Sequence, residues 1–263
     1  MNLKQCILTR NDCYARGAKI TPKGVMVHST GANNPNIKRY VQPDDGALGT
    51  NSYGNDWNRS GLSVCVHSFI GKCANGEVST YQTLPWDHRA WHCGADGNNT
   101  HISFEICEDD LSSETYFAQV YAEAVELTAY LCKEYNLDPL KDGVVIDHAE
   151  GYKRGIASGH ADVGHWFPKY GKSMDTFRAD VRKVLDGEEV IVMTMTKAEL
   201  AALIDERVGG ASYKTLEDVP EWGKETVKKL VDSGALQGTG DGLNISNDLL
   251  RTLVILDRCG VVK

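Results

Sequence analysis

Val144-Val145-Ile146-Asp147-His148-Ala149-Glu150, continued through Gly159-His160-Ala161-Asp162-Val163-Gly164-His165-Trp166-Phe167, is the stretch on which the reading of this chain turns. The apolar run is short and uninterrupted, which reads as a buried strand. His148 stands at its end, where a rigid scaffold can hold a side chain to the tolerance a metal site needs. Three of the eight histidines lie in this stretch. Asp162 and His160 follow a loop containing glycine and serine that can fold back over His148. Taken alone, the segment fits half of a metal site or a histidine-bearing surface loop about equally well.

Moving outward, Gly24-Val25-Met26-Val27-His28-Ser29-Thr30 repeats the pattern: an apolar run that ends in a histidine and small polar residues. It predicts a second buried strand with His28 at its tip. Leu62–Ile70 alternates in part and predicts a strand. Asn75-Gly76 then marks a hairpin turn into Glu77–Leu84. His101–Cys107 predicts a further strand. Within it Glu105 has apolar neighbours, so its carboxylate is either turned to solvent or held for chemistry. Glu114–Tyr135 carries Phe117, Val120, Ala124, Leu127 and Leu131 at helical spacing, and Asp175–Leu185 does the same with Phe177, Val181 and Val184. Strands separated by helices predict an α/β fold, a central mixed β-sheet flanked by helices, over residues 1–185. Residues 1–20 read as a leading arm that docks through Cys6, Ile7 and Leu8. Residues 31–60 read as a long irregular loop with one short helix near 36–41, long enough to wall a groove.

The composition changes at 186–195, which reads as a linker. Residues 196–263 predict a small all-α module. Thr196-Lys197-Ala198-Glu199 is a capping box opening a helix over Glu199–Val208, and two further helices follow at Glu221–Ser233 and Ser246–Asp257. This module holds no cluster of acids, histidines or nucleophiles and reads as a binding or assembly unit.

The bulk numbers exclude several classes. A net charge of −8 argues against a broad nucleic-acid surface. No run of about 18 apolar residues suggests a membrane span, and Met1–Cys6 lacks the apolar centre of a signal peptide. The eight cysteines contain no CxxC pair, so they are expected to be reduced, mostly buried thiols and not a cysteine zinc site.

The residues offer a part for each role in metal-assisted hydrolysis. A hydrolytic zinc takes three protein ligands and leaves a position for water. It also needs a carboxylate to move the proton and a donor for the oxyanion. His28 and His148 at strand tips, Asp162, Glu105 and His160 are the candidates.

Taken in order, six pieces resemble one family. They are Val27-His28-Ser29-Thr30; Ser63–Ile70 with Asn75-Gly76; Ala90-Trp91-His92-Cys93-Gly94; Ile102–Ile106; His148-Ala149-Glu150; and Asp162-Val163-Gly164. The chain resembles the type 2, zinc-dependent N-acetylmuramoyl-L-alanine amidases, a group that includes phage endolysins and peptidoglycan recognition proteins. The resemblance covers roughly residues 20–185. It implies His28 and His148 as zinc ligands, with Asp162 as the third. It implies Glu105 as the catalytic carboxylate, and His67 and His92 as groove residues contacting substrate. His160 occupies the place of a lysine that stabilises the oxyanion, and it is also the alternative third ligand. Trp91 and Trp166 could stack on sugars or simply pack, and His88, His101 and His165 read as ordinary surface or core histidines. The tail shows a faint likeness to one unit of an S-layer-homology-like module, through Asp218-Val219-Pro220-Glu221-Trp222 and Leu249-Leu250-Arg251. That implies a secondary cell-wall polymer as ligand, with dimerisation or a stabilising cap as alternatives. The resemblance as a whole implies a phage or prophage endolysin that cleaves the bond between muramic acid and L-alanine. It would wait in the host cytoplasm for a holin to release it. The alternative is a non-catalytic peptidoglycan-binding protein on the same fold.

Overall fold

The computed structural model describes residues 1–187, 213–238, 240 and 242–259. The chain divides into two compact units, Met1–Thr194 and Met195–Lys263.

The first unit is built on one six-stranded sheet in the order β1-β4-β3-β5-β2-β6. Its strands are β1 (Leu3–Gln5), β2 (Gly24–Ser29), β3 (Ser68–Lys72), β4 (Val78–Gln82), β5 (His101–Ile106) and β6 (Val145–Asp147). Among the described strand pairings of this sheet only the β3–β4 hairpin is antiparallel, and its turn passes through Gly76 at φ 87. The other four pairings are parallel, so the sheet is mixed as expected.

Side-chain alternation sorts the two faces. Val25 and Val27 of β2, Ile102, Phe104 and Ile106 of β5, and Ile70 of β3 pack against α2 (Glu114–Glu134) and α4 (Met174–Leu185) in the main core. Phe117 of α2 stacks on Tyr170 with ring centroids 4.3 Å apart, beside the buried Trp166 and Phe167. The alternate positions, Met26 and His28 on β2 and Ser103 and Glu105 on β5, therefore face the other way. That opposite face carries the chemistry.

The N-terminal arm is more structured than its sequence suggests. Leu3–Gln5 forms an edge strand on β4, α1 (Asp12–Arg16) follows, and Leu8 is buried. The 31–60 loop is pinned from beneath by Ile37, Tyr40, Val41 and Leu48, which join Leu8, Phe69 and Tyr81 in a second core. The expected helix in it is one 3-10 turn, Ile37–Arg39.

The strand expected over Leu62–Ile70 is corrected to Ser68–Lys72. Residues 62–64 give their carbonyls to the arm instead: Leu62 to the Asp12 N–H, Ser63 to the Cys13 thiol and Val64 to the Asn11 amide. All eight cysteines are free thiols, six of them buried.

In the second unit, α5 (Glu221–Asp232) and α6 (Asn247–Arg258) pack through Val227, Leu250 and Val254, with Val219 and Ile245 completing a small core. They lie close at Gly223, where an added Cβ would sit 2.8 Å from a Leu250 methyl. Both helices match their expected places. The helix expected at Glu199–Val208 lies outside the described residues. Among the described residues, no helix is long and apolar enough to cross a membrane.

Candidate active site

Parallel strands β5, β2 and β6 bring their C-terminal ends to one edge, where open sheets characteristically bind ligands. His28 and Glu105 are direct register partners on β2 and β5. Val27 pairs with Asp147, so β6 delivers His148 one residue later on the same side. Asp147 caps α3 (His148–Lys153) by accepting the Glu150 N–H, and Glu150 returns the bond to the Asp147 N–H. This capping box accounts for both carboxylates and fixes His148 at the first helical position. Glu150 is further held by Arg178 of α4 at 2.9 Å.

The loop after α3 returns as the sequence suggests. A 3-10 turn, Asp162–His165, places the Asp162 carboxylate beside both imidazoles. Its Oδ2 lies 2.8 Å from His148 Nδ1 and 3.7 Å from His28 Nδ1. Despite these distances, Oδ2 is shielded from water and makes no hydrogen bond of acceptable geometry. The three donor atoms lie within 4.8 Å of one another. Asp162 sits at φ 41, a left-handed conformation uncommon for a residue with a side chain, and such strain is kept where the surroundings enforce it. The outer nitrogens of both imidazoles are occupied. His28 Nε2 is 2.9 Å from His92 Nδ1, and His148 Nε2 is 3.2 Å from Ser158 Oγ. Fixing the far nitrogen of a histidine orients its near one for a metal.

The electrostatics agree. Burial drives the His28 imidazole toward its neutral form, against the pull of Asp162. Burial alone would raise the Asp162 carboxyl, but its contacts with His148 and His28 outweigh that and hold it low. Two imidazoles and a carboxylate whose buried oxygen faces both of them form a donor set suited to a divalent cation such as zinc. Glu105 stands beside them with Oε2 shielded and unbonded. Burial, and then the charges of Asp162 and Glu108, push its carboxyl well above the ordinary range.

A family model described as N-acetylmuramoyl-L-alanine amidase matches residues 18–165, more than half of the chain and every residue of this site. The chain belongs to that family.

N-acetylmuramoyl-L-alanine amidase is accordingly its activity, and peptidoglycan its substrate. Comparison with curated proteins gives no match. Several solved structures are similar to the chain. PlyL is 22% identical with a TM-score of 0.46, covering 72% of this chain and 99% of its own. The catalytic domain of XlyA is 22% identical with a TM-score of 0.47, covering 69% and 99%. A hydrolase of Staphylococcus aureus, AmiA, solved in complex with its ligand, is 21% identical with a TM-score of 0.49, covering 70% and 82%.

The remaining expected residues of the amidase fall in different places. His160 is exposed at the rim of the cleft, its ring 4.7 Å from that of His148. His92 reaches the cleft, but as the partner of His28. Its loop is shaped by buried Asn98, whose Oδ1 accepts the N–H groups of His92 and Cys93. His67 is not brought to the cleft, and its expected contact with substrate is corrected. It is wholly buried, its Nε2 donates to the His88 carbonyl at 2.8 Å and its Nδ1 accepts the Ser103 N–H at 3.0 Å. Trp166 is fully buried in the core, whereas Trp91 is 40% exposed.

Ser158, Asn98 and Glu108 are not among the residues the sequence points to, and His165, which reads there as an ordinary surface or core histidine, lines the cleft. Ser158 and Asn98 carry no sequence signal, being loop residues of common types. Glu108 gives a faint one, as a second carboxylate just past the apolar run of β5.

Proposed function

We propose that His28, His148 and Asp162 hold a zinc ion and that the chain is a lysin of phage or prophage origin. It would cleave peptidoglycan between N-acetylmuramic acid and L-alanine. The observation that carries the zinc reading is the convergence of two imidazole Nδ1 atoms on one buried carboxylate oxygen, 2.8 and 3.7 Å away. When bound, zinc polarises the scissile carbonyl and lowers the pKa of water.

The chain's own residues supply the rest. Glu105, its proton affinity raised by burial, takes a proton from the attacking water and passes it to the leaving amide nitrogen. His160 at the cleft rim donates a hydrogen bond to the developing oxyanion. His92 and Ser158 keep the two imidazoles aimed inward.

The second unit fits a wall-binding or dimerising role. Trp222, Leu249 and Ile255 present large apolar side chains to solvent there, and either a secondary cell-wall polymer or a second copy of the chain would add avidity. As a lysin it would wait in the host cytoplasm for a holin.

Metal removal tests the zinc reading. Chelation is expected to abolish amide cleavage, and one equivalent of zinc per chain to restore it. Full activity in protein shown to be metal-free would overturn it.

A further inference from the structure

Glu108 lies just beyond β5 and is only 3% exposed, yet it is not consumed by the hydrolytic machinery described above. Its backbone and side chain join three segments. Its N–H donates to Thr30 Oγ1 at 3.1 Å, its carbonyl accepts the Asn34 N–H at 2.8 Å, and its Oε1 accepts the Gly31 N–H at 3.1 Å. Its Oε2 lies 3.0 Å from His165 Nε2. His165 closes the turn that begins with Asp162, and it lines the same cleft as His28, Glu105 and His148. Its side chain is 37% exposed.

Burying a carboxylate costs free energy unless its partners replace the lost water. A hydrogen bond from an imidazole this close to solvent returns little stability by itself. What the pair does provide is orientation. An ionised carboxylate can only accept, so the proton shared with Glu108 sits on His165 Nε2. In the neutral imidazole, Nδ1 then carries a bare lone pair. It has no hydrogen-bond partner among the described residues, on a ring that faces the cleft.

We propose that His165, aimed by Glu108, is a substrate-binding residue whose Nδ1 accepts a hydrogen bond from a secondary-amide N–H of peptidoglycan. The inference rests on the peptidoglycan reading of this cleft. Two sources offer that chemistry, the stem-peptide backbone and the acetamido group of the sugar.

Steady-state kinetics on a soluble muropeptide, with metal content assayed in each protein, test it. His165→Ala and His165→Phe are expected to raise KM by about 3- to 10-fold, the size of one hydrogen bond, with kcat within about 2-fold and zinc unchanged. His165→Asn, which keeps an acceptor, should recover part of the loss. Glu108→Gln should give a smaller rise in KM, and none on top of His165→Ala, whatever its lost charge does to kcat through Glu105. An N-methylated stem peptide and a de-N-acetylated sugar separate the sources. The compound lacking the true donor should show the raised KM in wild type and no further rise in His165→Ala. Unchanged KM in His165→Ala and His165→Phe, or a fall in kcat together with lost metal, would overturn the inference. A zinc-loaded wild type that leaves the muropeptide intact would overturn the reading beneath it as well.

Discussion

His28 owes its value to what surrounds it. It is a strand residue with alternation on its side, a register partner in Glu105, and a second imidazole holding its outer nitrogen. The sequence shows the first of these and hides the other two. A histidine at the end of an apolar run is visible in one dimension, whereas His92 and Ser158 reach the site from loops whose paths depend on the finished fold. His67 illustrates the opposite error. It also follows an apolar stretch, but its partners, Ser103 and the His88 carbonyl, come from two separate segments and enclose it completely. Burial lowers its pKa to about 4 from an ordinary value near 6.5. Between those values the unfolded chain binds a proton that the folded chain refuses. Stability is therefore full above pH 6.5 and is lost as the pH falls toward 4, by on the order of 3 kcal/mol for this residue. Urea unfolding across that range should show a shallower pH dependence in His67→Gln than in wild type. Equal slopes would show that His67 is not the titrating group.

β6 and α3 are the elements on which the site depends most. The three-residue strand was legible because its apolar run is bounded sharply. The Asp147-x-x-Glu150 capping box was legible in principle, but the same carboxylates also suit a metal, and sequence cannot choose between these uses. β3 was misplaced for a different reason. Partial alternation over 62–67 resembles a strand, but its carbonyls are claimed by α1 and Asn11, segments distant in sequence. The close approach of β6 to β2 rests on Gly24. An added Cβ there would lie 2.3 Å from the Val144 carbonyl and 2.7 Å from the His101 ring. Gly24→Ala is expected to cost about 1–3 kcal/mol in chemical denaturation. It should also weaken zinc retention, because His148 rides on the displaced strand. Lost stability with unaltered zinc affinity would show that β6 does not set the ligand's position.

At the scale of the whole molecule, the mixed sheet of the first unit turns one face to α2 and α4, packs the other under the 31–60 loop, and leaves the C-terminal ends of β5, β2 and β6 for chemistry. The fold class was readable from the alternation of strands and helices, and the family from six short motifs in order. The arm's docking through Leu8 was readable too, but its edge strand was not, since three residues leave almost no periodic trace. The central claim joins these scales: a sheet edge assembles His28, His148 and Asp162 beside Glu105, and this constellation cleaves the muramoyl–L-alanine bond. The most direct measurement is product analysis of purified peptidoglycan digested by wild type and by Glu105→Gln, with zinc assayed in both. The account expects new L-alanine amino termini without new reducing sugar ends. It expects them to fall by about 10²–10⁴-fold in Glu105→Gln while zinc stays bound. New reducing ends, or undiminished cleavage by zinc-loaded Glu105→Gln, would contradict it.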